Sequence, residues 1–297
     1  HLFQLALHIG NTFIIFIFLS LFFPLIASLL ISLIFLVHSM NSETVLLSSN
    51  LQDILFFFFG SLSLLILAAN KDKQLNWKKI TIFSICILLS VFSKETGLLF
   101  GFISIAYAFL FSKKNIIRIA ISVSIAAMCL FIFRFFIAQI GFGISIFSPI
   151  AHASFYQRML NMPSIIARYI NTFIFPSSLQ SAQFWLEEKI TLSGFVIPLI
   201  EIFIFLLLVI LAAFYIKRKN KKLFSIYIFF ALWFSAGMLL HLHIIPLEIT
   251  VALRWFYAPI IGLLGMIAAI YFALAPKHKK FQKIMVLICL MNNFCRI

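Results

Sequence analysis

The sequence predicts an all-α fold: a polytopic transmembrane helix bundle of about ten spans, forming a single domain over residues 1–297. Three observations predict it. Of the 297 residues 64% are hydrophobic and 10% charged, whereas a water-soluble domain carries about a quarter charged residues. The apolar residues gather into runs of helical length, too long for barrel strands. The basic residues are sorted into connections on one side of those runs, as the positive-inside rule requires. A mean hydropathy of +1.15 with 39 phenylalanines excludes a water-soluble enzyme.

The apolar runs fall at roughly 2–19, 22–37, 54–69, 80–93, 97–112, 116–137, 195–216, 223–240, 256–274 and 284–295. In the first, Gln4, His8 and Asn11 recur at i, i+4 and i+7 and share one stripe, which suits interhelical hydrogen bonding. The third contains the run Phe56 to Phe59, read as lipid-facing bulk. The fourth and fifth are separated only by Ser93-Lys94-Glu95-Thr96, so they form a tight hairpin. Residues 138–192 make an outer loop whose most apolar part, Ser164 to Phe175, is interrupted by Arg168 and Asn171 and stopped by Pro176. That stretch is too short to span, and it reads as an interfacial or re-entrant helix. Cys86, Cys129, Cys289 and Cys295 sit within apolar runs without disulfide or metal-ligand spacing.

Four lysine-rich connections alternate with the runs: Lys71, Lys73, Lys78 and Lys79; Lys113, Lys114 and Arg118; Lys217, Arg218, Lys219, Lys221 and Lys222; and Lys277, Lys279, Lys280 and Lys283. If every run crosses once, all four lie on one face, which is then cytoplasmic. Asp72 is the only acid among them. Glu43, Asp53, Glu95, Glu187, Glu188, Glu201 and Glu248 fall at or near the outer ends. The formal charge of +15 is therefore a topology signal, and no nucleic-acid partner is expected.

In so apolar a chain the informative residues are the ionisable groups at the outer ends, because charge near hydrocarbon is costly and usually faces a cavity. His38 to Val45, followed by Gln52 and Asp53, form the first cluster; Asn41 or Ser42 can cap a short helix there, and Asp53 suits the positive end of a helix dipole. Lys94 and Glu95 are either a solvated turn or a cation set for an anionic group at the lipid surface. Arg254 opens the ninth run with a fork suited to phosphate oxygens, flanked by Trp255 and Tyr257, which also suit interfacial anchoring. His241-Leu242-His243 is a weak metal-ligand pattern without a defined acid partner.

These segments, in the order "VHSMNSETVLLSSNLQD", "SKE" and "ALRWFYAP", resemble the GT-C type membrane glycosyltransferases. The closest likeness is to the O-mannosyltransferase-like proteins that in many members carry tetratricopeptide repeats. The resemblance rests on His38, Glu43, Val45 and Asp53, on Ser93, Lys94 and Glu95, and on Ala252, Arg254, Tyr257 and Pro259. Ser39 stands where that family has proline, and Leu253 where it has glutamate. The family's catalytic acid lies in a first outer loop that would precede His1, so the chain is read as a fragment lacking its N-terminal helix and that loop.

The resemblance implies transfer of a sugar from a polyprenyl-phosphate-linked donor to a hydroxyl on a protein, lipid or glycan, at the outer face of a membrane. Lys94 and Arg254 would hold the donor phosphate. Glu43 and Asp53 are the catalytic candidates within the chain, Glu43 in an acceptor-binding or orienting role. Asp53 and Glu95 would hold the cations in place, with His38 and Tyr257 in support. No metal ligand or cofactor is assigned, although some GT-C enzymes use a divalent metal ion and others do not. The lipid bilayer is the remaining partner, with the bacterial inner (plasma) membrane as the expected location. Rival readings are a transporter or flippase of a lipid-linked or anionic solute, which calls for ionisable groups at the bilayer midplane and internal repeats; an O-antigen ligase or polymerase; and an inactive membrane scaffold.

Overall fold

A computed structural model of the protein describes residues 1–139, 148–177 and 179–275. The expected run at 284–295, the fourth basic connection, Cys289 and Cys295 lie outside the described residues. Within them the chain is all-α: α1 (Leu2–Ser20), α2 (Leu25–Val37), α3 (Ser42–Leu46), α4 (Leu51–Ala68), α5 (Trp77–Ser93), α6 (Leu98–Phe111), α7 (Ile116–Ile132), α8 (Pro149–His152), α9 (Phe155–Ile174), α10 (Ile197–Lys219), α11 (Lys221–Leu239) and α12 (Pro259–Leu274). Nine of these fall on the apolar runs. Five of them, α1, α4, α7, α10 and α11 with their flanking turns, are long and apolar enough to cross a membrane, and α2 with α3 is a sixth if that pair, bent by 49°, counts as one span. The runs at 80–93, 97–112 and 256–274 form helices of 17, 14 and 16 residues, at or below the ~17–25 residues of a full crossing.

Local chemistry sets the helix ends. Pro24 precedes α2, where its missing N–H removes no helical bond. Asn76 and Asn220 cap α5 and α11 by accepting backbone N–H bonds from Lys79 and from Lys222 and Leu223. Helix α9 begins nine residues before the expected Ser164, because Ser154 and Gln157 form a reciprocal capping box that satisfies two orphan donors. It ends at Ile174, just ahead of Phe175-Pro176, since proline disfavours helical backbone before it. Asn41 does not cap α3; its amide donates back to the Phe35 carbonyl at 2.6 Å.

The core is aromatic. Phe18 and Phe22 of α1 and the following turn meet Tyr107 of α6 and Phe229 and Phe230 of α11, with ring centroids 5.8–6.4 Å apart. The reading of Phe56 to Phe59 as lipid-facing bulk is corrected: Phe56 and Phe57 are buried. Phe57 packs on Phe35, Phe100 and Tyr257. At 3.6 residues per turn, four consecutive side chains cover most of a helix circumference and cannot all face outward. Helices α11 and α12 approach closely at Gly262, where an added Cβ would sit 2.4 Å from the Phe234 backbone nitrogen; small residues permit such contact between apolar helices. Helix α10 is nearly bare, with only Pro198 and Ile216 buried, as expected of an apolar helix facing lipid.

The lysine-rich turns gather at one end of the bundle. Asn115 joins two of them, accepting from the Leu75 N–H at 2.8 Å and donating to the Lys73 carbonyl at 2.9 Å. The Lys219 ammonium caps the C-terminus of α12 at the Ala273 carbonyl, and Phe272 stacks on Phe23 at the α1–α2 turn. At the opposite end the chain leaves regular helix. A two-stranded antiparallel ladder forms there between β1 (Ala182–Gln183) and β2 (Val251–Ala252), with Ala182 opposite Ala252 and Gln183 opposite Val251.

Candidate functional site

The end opposite the lysine-rich turns collects most of the outer-end charges. Three irregular segments supply them: the turn-rich stretch between α2 and α4, Lys94 in extended backbone between α5 and a 3-10 turn at Glu95–Gly97, and a 3-10 turn at Leu253–Phe256 following β2. Asp53 adds to these from the first turn of α4, where the helix dipole favours an acid.

Two ion pairs form. Lys94 Nζ lies 2.5 Å from Asp53 Oδ1. Arg254 Nη1 donates to Glu43 Oε1 at 2.8 Å, and the Arg254 backbone N–H donates to Glu43 Oε2 at 3.0 Å. The burial is asymmetric: the Asp53 and Glu43 side chains are each 1% exposed, those of Lys94 and Arg254 17% and 21%. Each carboxylate is thus an inner anchor and each cation an outer tip. Among the described residues the remaining guanidinium N–H groups of Arg254 have no protein partner. Neither carboxylate is presented to an incoming molecule: Glu43 has both oxygens engaged by Arg254, and Asp53 Oδ2, although unpartnered, is buried. Both therefore act by orienting cations, which is what the arrangement allows of the two catalytic candidates.

The supporting residues divide. Glu95, expected to hold one of these cations, pairs instead with Arg134 at the end of α7 and is 55% exposed. His38 stacks on Phe173 with centroids 4.9 Å apart. Its Nδ1 accepts the Met40 N–H, which leaves Nε2–H to donate to the Phe173 carbonyl, both at 3.3 Å. Burial pushes its pKa down to about 4, so it is a neutral strut tying α9 to the α2–α3 turn. Tyr257 is buried, and its hydroxyl bonds into α1 and not to either cation. His8 Nε2 faces the Leu36 carbonyl at 3.1 Å, so Nδ1 is left to accept from the Tyr257 hydroxyl at 2.7 Å, and that hydroxyl accepts from Asn11 at 3.1 Å. Gln4 donates to the Leu47 carbonyl at 2.8 Å. The polar stripe of α1 thus binds the turn-rich end to the bundle.

His241 was legible only as part of a weak metal pattern. It stacks flat on Trp255, with centroids 4.9 Å apart. Burial first, and then the positive charges of Lys94 and Arg254, hold its pKa well below the usual value, so the imidazole beside Trp255 is neutral. His243 faces the Thr250 carbonyl through Nε2 at 3.0 Å, and burial lowers its pKa as well. Among the described residues no three His, Cys, Asp or Glu side chains are grouped to hold a metal ion.

A second feature, not foreseen from the sequence, is a cleft of about 400 Å³ between α9, the start of α10 and residues 179–188, lined among others by Arg168, Asn171, Gln183, Trp185, Glu187 and Glu201. The β1–β2 ladder separates it from the ion pairs: Gln183 lines the cleft and pairs with Val251, three residues before Arg254. Tyr169 of α9 ties the same ladder down, its hydroxyl donating to the Ala252 carbonyl at 3.0 Å. Compared with known protein families, curated proteins and solved structures, the chain finds no match.

Proposed function

We propose that the protein is a multi-pass membrane glycosyltransferase of the GT-C type, moving a sugar from a polyprenyl-phosphate-linked donor to a hydroxyl on a protein, lipid or glycan. The observation that carries this reading is the paired-cation geometry: Lys94 and Arg254 are each fixed by a buried carboxylate yet keep an accessible edge, at the end of an apolar bundle remote from its lysine-rich turns. A lipid-linked donor has its tail in the bilayer and its phosphate at the interface, so cations at a helix-bundle end suit it. In this reading the bundle crosses the membrane about ten times, the lysine-rich turns are cytoplasmic by the positive-inside rule, and the ion pairs face outward from a bacterial inner membrane.

In an inverting transfer the acceptor oxygen loses its proton and bonds to the anomeric carbon as the bond from that carbon to the phosphate oxygen breaks. The phosphate departs with the electron pair. Lys94 and Arg254 would meet the charge that develops on it, a contribution worth several kcal/mol when the donors are preorganised. Glu43 and Asp53 supply that preorganisation, which leaves proton removal to a base outside the two pairs. The neutral His241, stacked on Trp255, adds no positive charge near them.

The test is transfer from a radiolabelled polyprenyl-phosphate sugar by the full-length protein in membranes. Arg254→Ala and Lys94→Ala should each lower the turnover rate about 10²-fold or more. Unchanged transfer by either variant would remove its cation from the reaction.

A further inference from the structure

We propose that the cleft between α9 and α10 is a binding site for a neutral saccharide. Its volume of about 400 Å³ lies within the ~300–1,000 Å³ of small-molecule sites. Its chemistry narrows the ligand. The lining carries one guanidinium, of Arg168, and two carboxylates, of Glu187 and Glu201, so a phosphate would meet net repulsion and a compact cation would meet Arg168. A polyol avoids both penalties, because each hydroxyl both donates and accepts. It can give hydrogen bonds to the carboxylates and take them from Arg168, Asn171 and Gln183. Trp185, also in the lining, adds apolar aromatic surface of the kind against which the C–H side of a sugar ring packs.

Two of these groups await a partner. Arg168 makes no ion pair or hydrogen bond among the described residues, and its Nε is buried. The Glu187 carboxylate likewise has no hydrogen bond there, although its backbone is clamped on both sides by Asn161, at 2.8 and 3.0 Å. A buried donor left unpaired, here Arg168 Nε, calls for an explanation, and a polyhydroxyl ligand supplies one. Other parts are already set: Asn171 donates to Glu201 Oε2 at 2.9 Å, which holds α9 and α10 at a fixed spacing across the cleft. The ladder from Gln183 to Val251 places this site beside the ion pairs. That its ligand is the acceptor glycan rests on the transferase reading, so the experiment reads binding and not transfer.

Gly194 provides a variant that spares the fold. A Cβ there would come within 2.4 Å of the Glu187 carboxyl carbon, the far end of a flexible side chain that can swing aside. Gly194→Ala therefore displaces one carboxylate from the cleft. The full chain in phosphatidylcholine nanodiscs is titrated with methyl α-mannoside, methyl β-glucoside and methyl N-acetyl-β-glucosaminide, with binding read by saturation-transfer NMR. At least one glycoside should bind the unmodified protein, and Arg168→Gln and Gly194→Ala should each weaken it about tenfold while thermal melting is unchanged. The inference is overturned if no glycoside binds, if binding survives both substitutions, or if inorganic phosphate or phosphoethanolamine displaces the bound glycoside.

Discussion

Glu43 accepts two hydrogen bonds from a single residue 211 positions away, one from the Arg254 backbone and one from its guanidinium, and this allows a quantitative test. Glu43→Gln keeps a carbonyl oxygen for the backbone N–H but loses the charge that strengthens the second bond. The expected cost is about 2 kcal/mol, or roughly 4–8 °C in melting temperature at 2–4 °C per kcal/mol. Arg254→Gln costs more, about 3–5 kcal/mol, because it strands a carboxylate that is 1% exposed without its counter-charge. The double variant removes both charges and lets two amides face each other. It should melt above the Arg254→Gln single variant, with a coupling of about 1–3 kcal/mol. The assay follows the monodisperse fraction of detergent-solubilised protein after heating, for all four members of the cycle. Additive losses, agreeing within about 0.5 kcal/mol, would mean that the two side chains do not act as a unit and that Glu43 is not the anchor of Arg254.

Two further predictions follow from the buried polar groups around the site. His38 has a folded pKa of about 4 against 6.5 in the unfolded chain, so the unfolded state takes up a proton first as pH falls. Stability should be full above pH 6.5 and decline by about 3 kcal/mol towards pH 4; the melting temperature of His38→Gln should decline less over that window, and parallel curves would refute the assignment. Tyr257→Phe removes the hydroxyl shared by His8 and Asn11 and leaves His8 Nδ1 buried without a donor, at a cost of about 1–3 kcal/mol, read as a drop of several degrees in the same heating assay. A variant as stable as the parent would show that this network contributes nothing.

The helices were legible because their signal is local. Runs such as 195–216 and 223–240 are apolar over the length of a helix, and the helices found there differ only by a few residues at their ends. Partner choice is not local. Nothing near Glu95 in the sequence distinguishes Arg134 from Lys94 or Arg254 as its mate, and the choice follows from where α7 ends relative to the α5–α6 turn. The start of α9 was missed because Ser154 and Gln157 lie in a polar stretch, where a capping box outweighs the lack of apolar character. The inward turn of Phe56 and Phe57 depends on which face of α4 meets α2 and α6, which a run of identical residues does not reveal. The cleft joins the re-entrant stretch at 164–175 and the start of the run at 195–216 with a segment that reads only as loop, and its signal, an unpaired Arg168 in one lining with Glu187, exists only once they are folded together.

Two cations on the rim and two carboxylates beneath them form a cluster of zero net charge, and its field dies away within a few ångströms. Such a cluster draws nothing from the bulk: long-range attraction of anions requires unbalanced charge, and here salt has little to screen. In the transferase reading, selectivity is deferred to contact, when a phosphate reaches the free edges of Lys94 and Arg254. A soluble anion must find that edge by unaided three-dimensional search. A ligand already tethered in the bilayer arrives by lateral diffusion at the right depth, so the arrangement filters by route of approach as well as by charge.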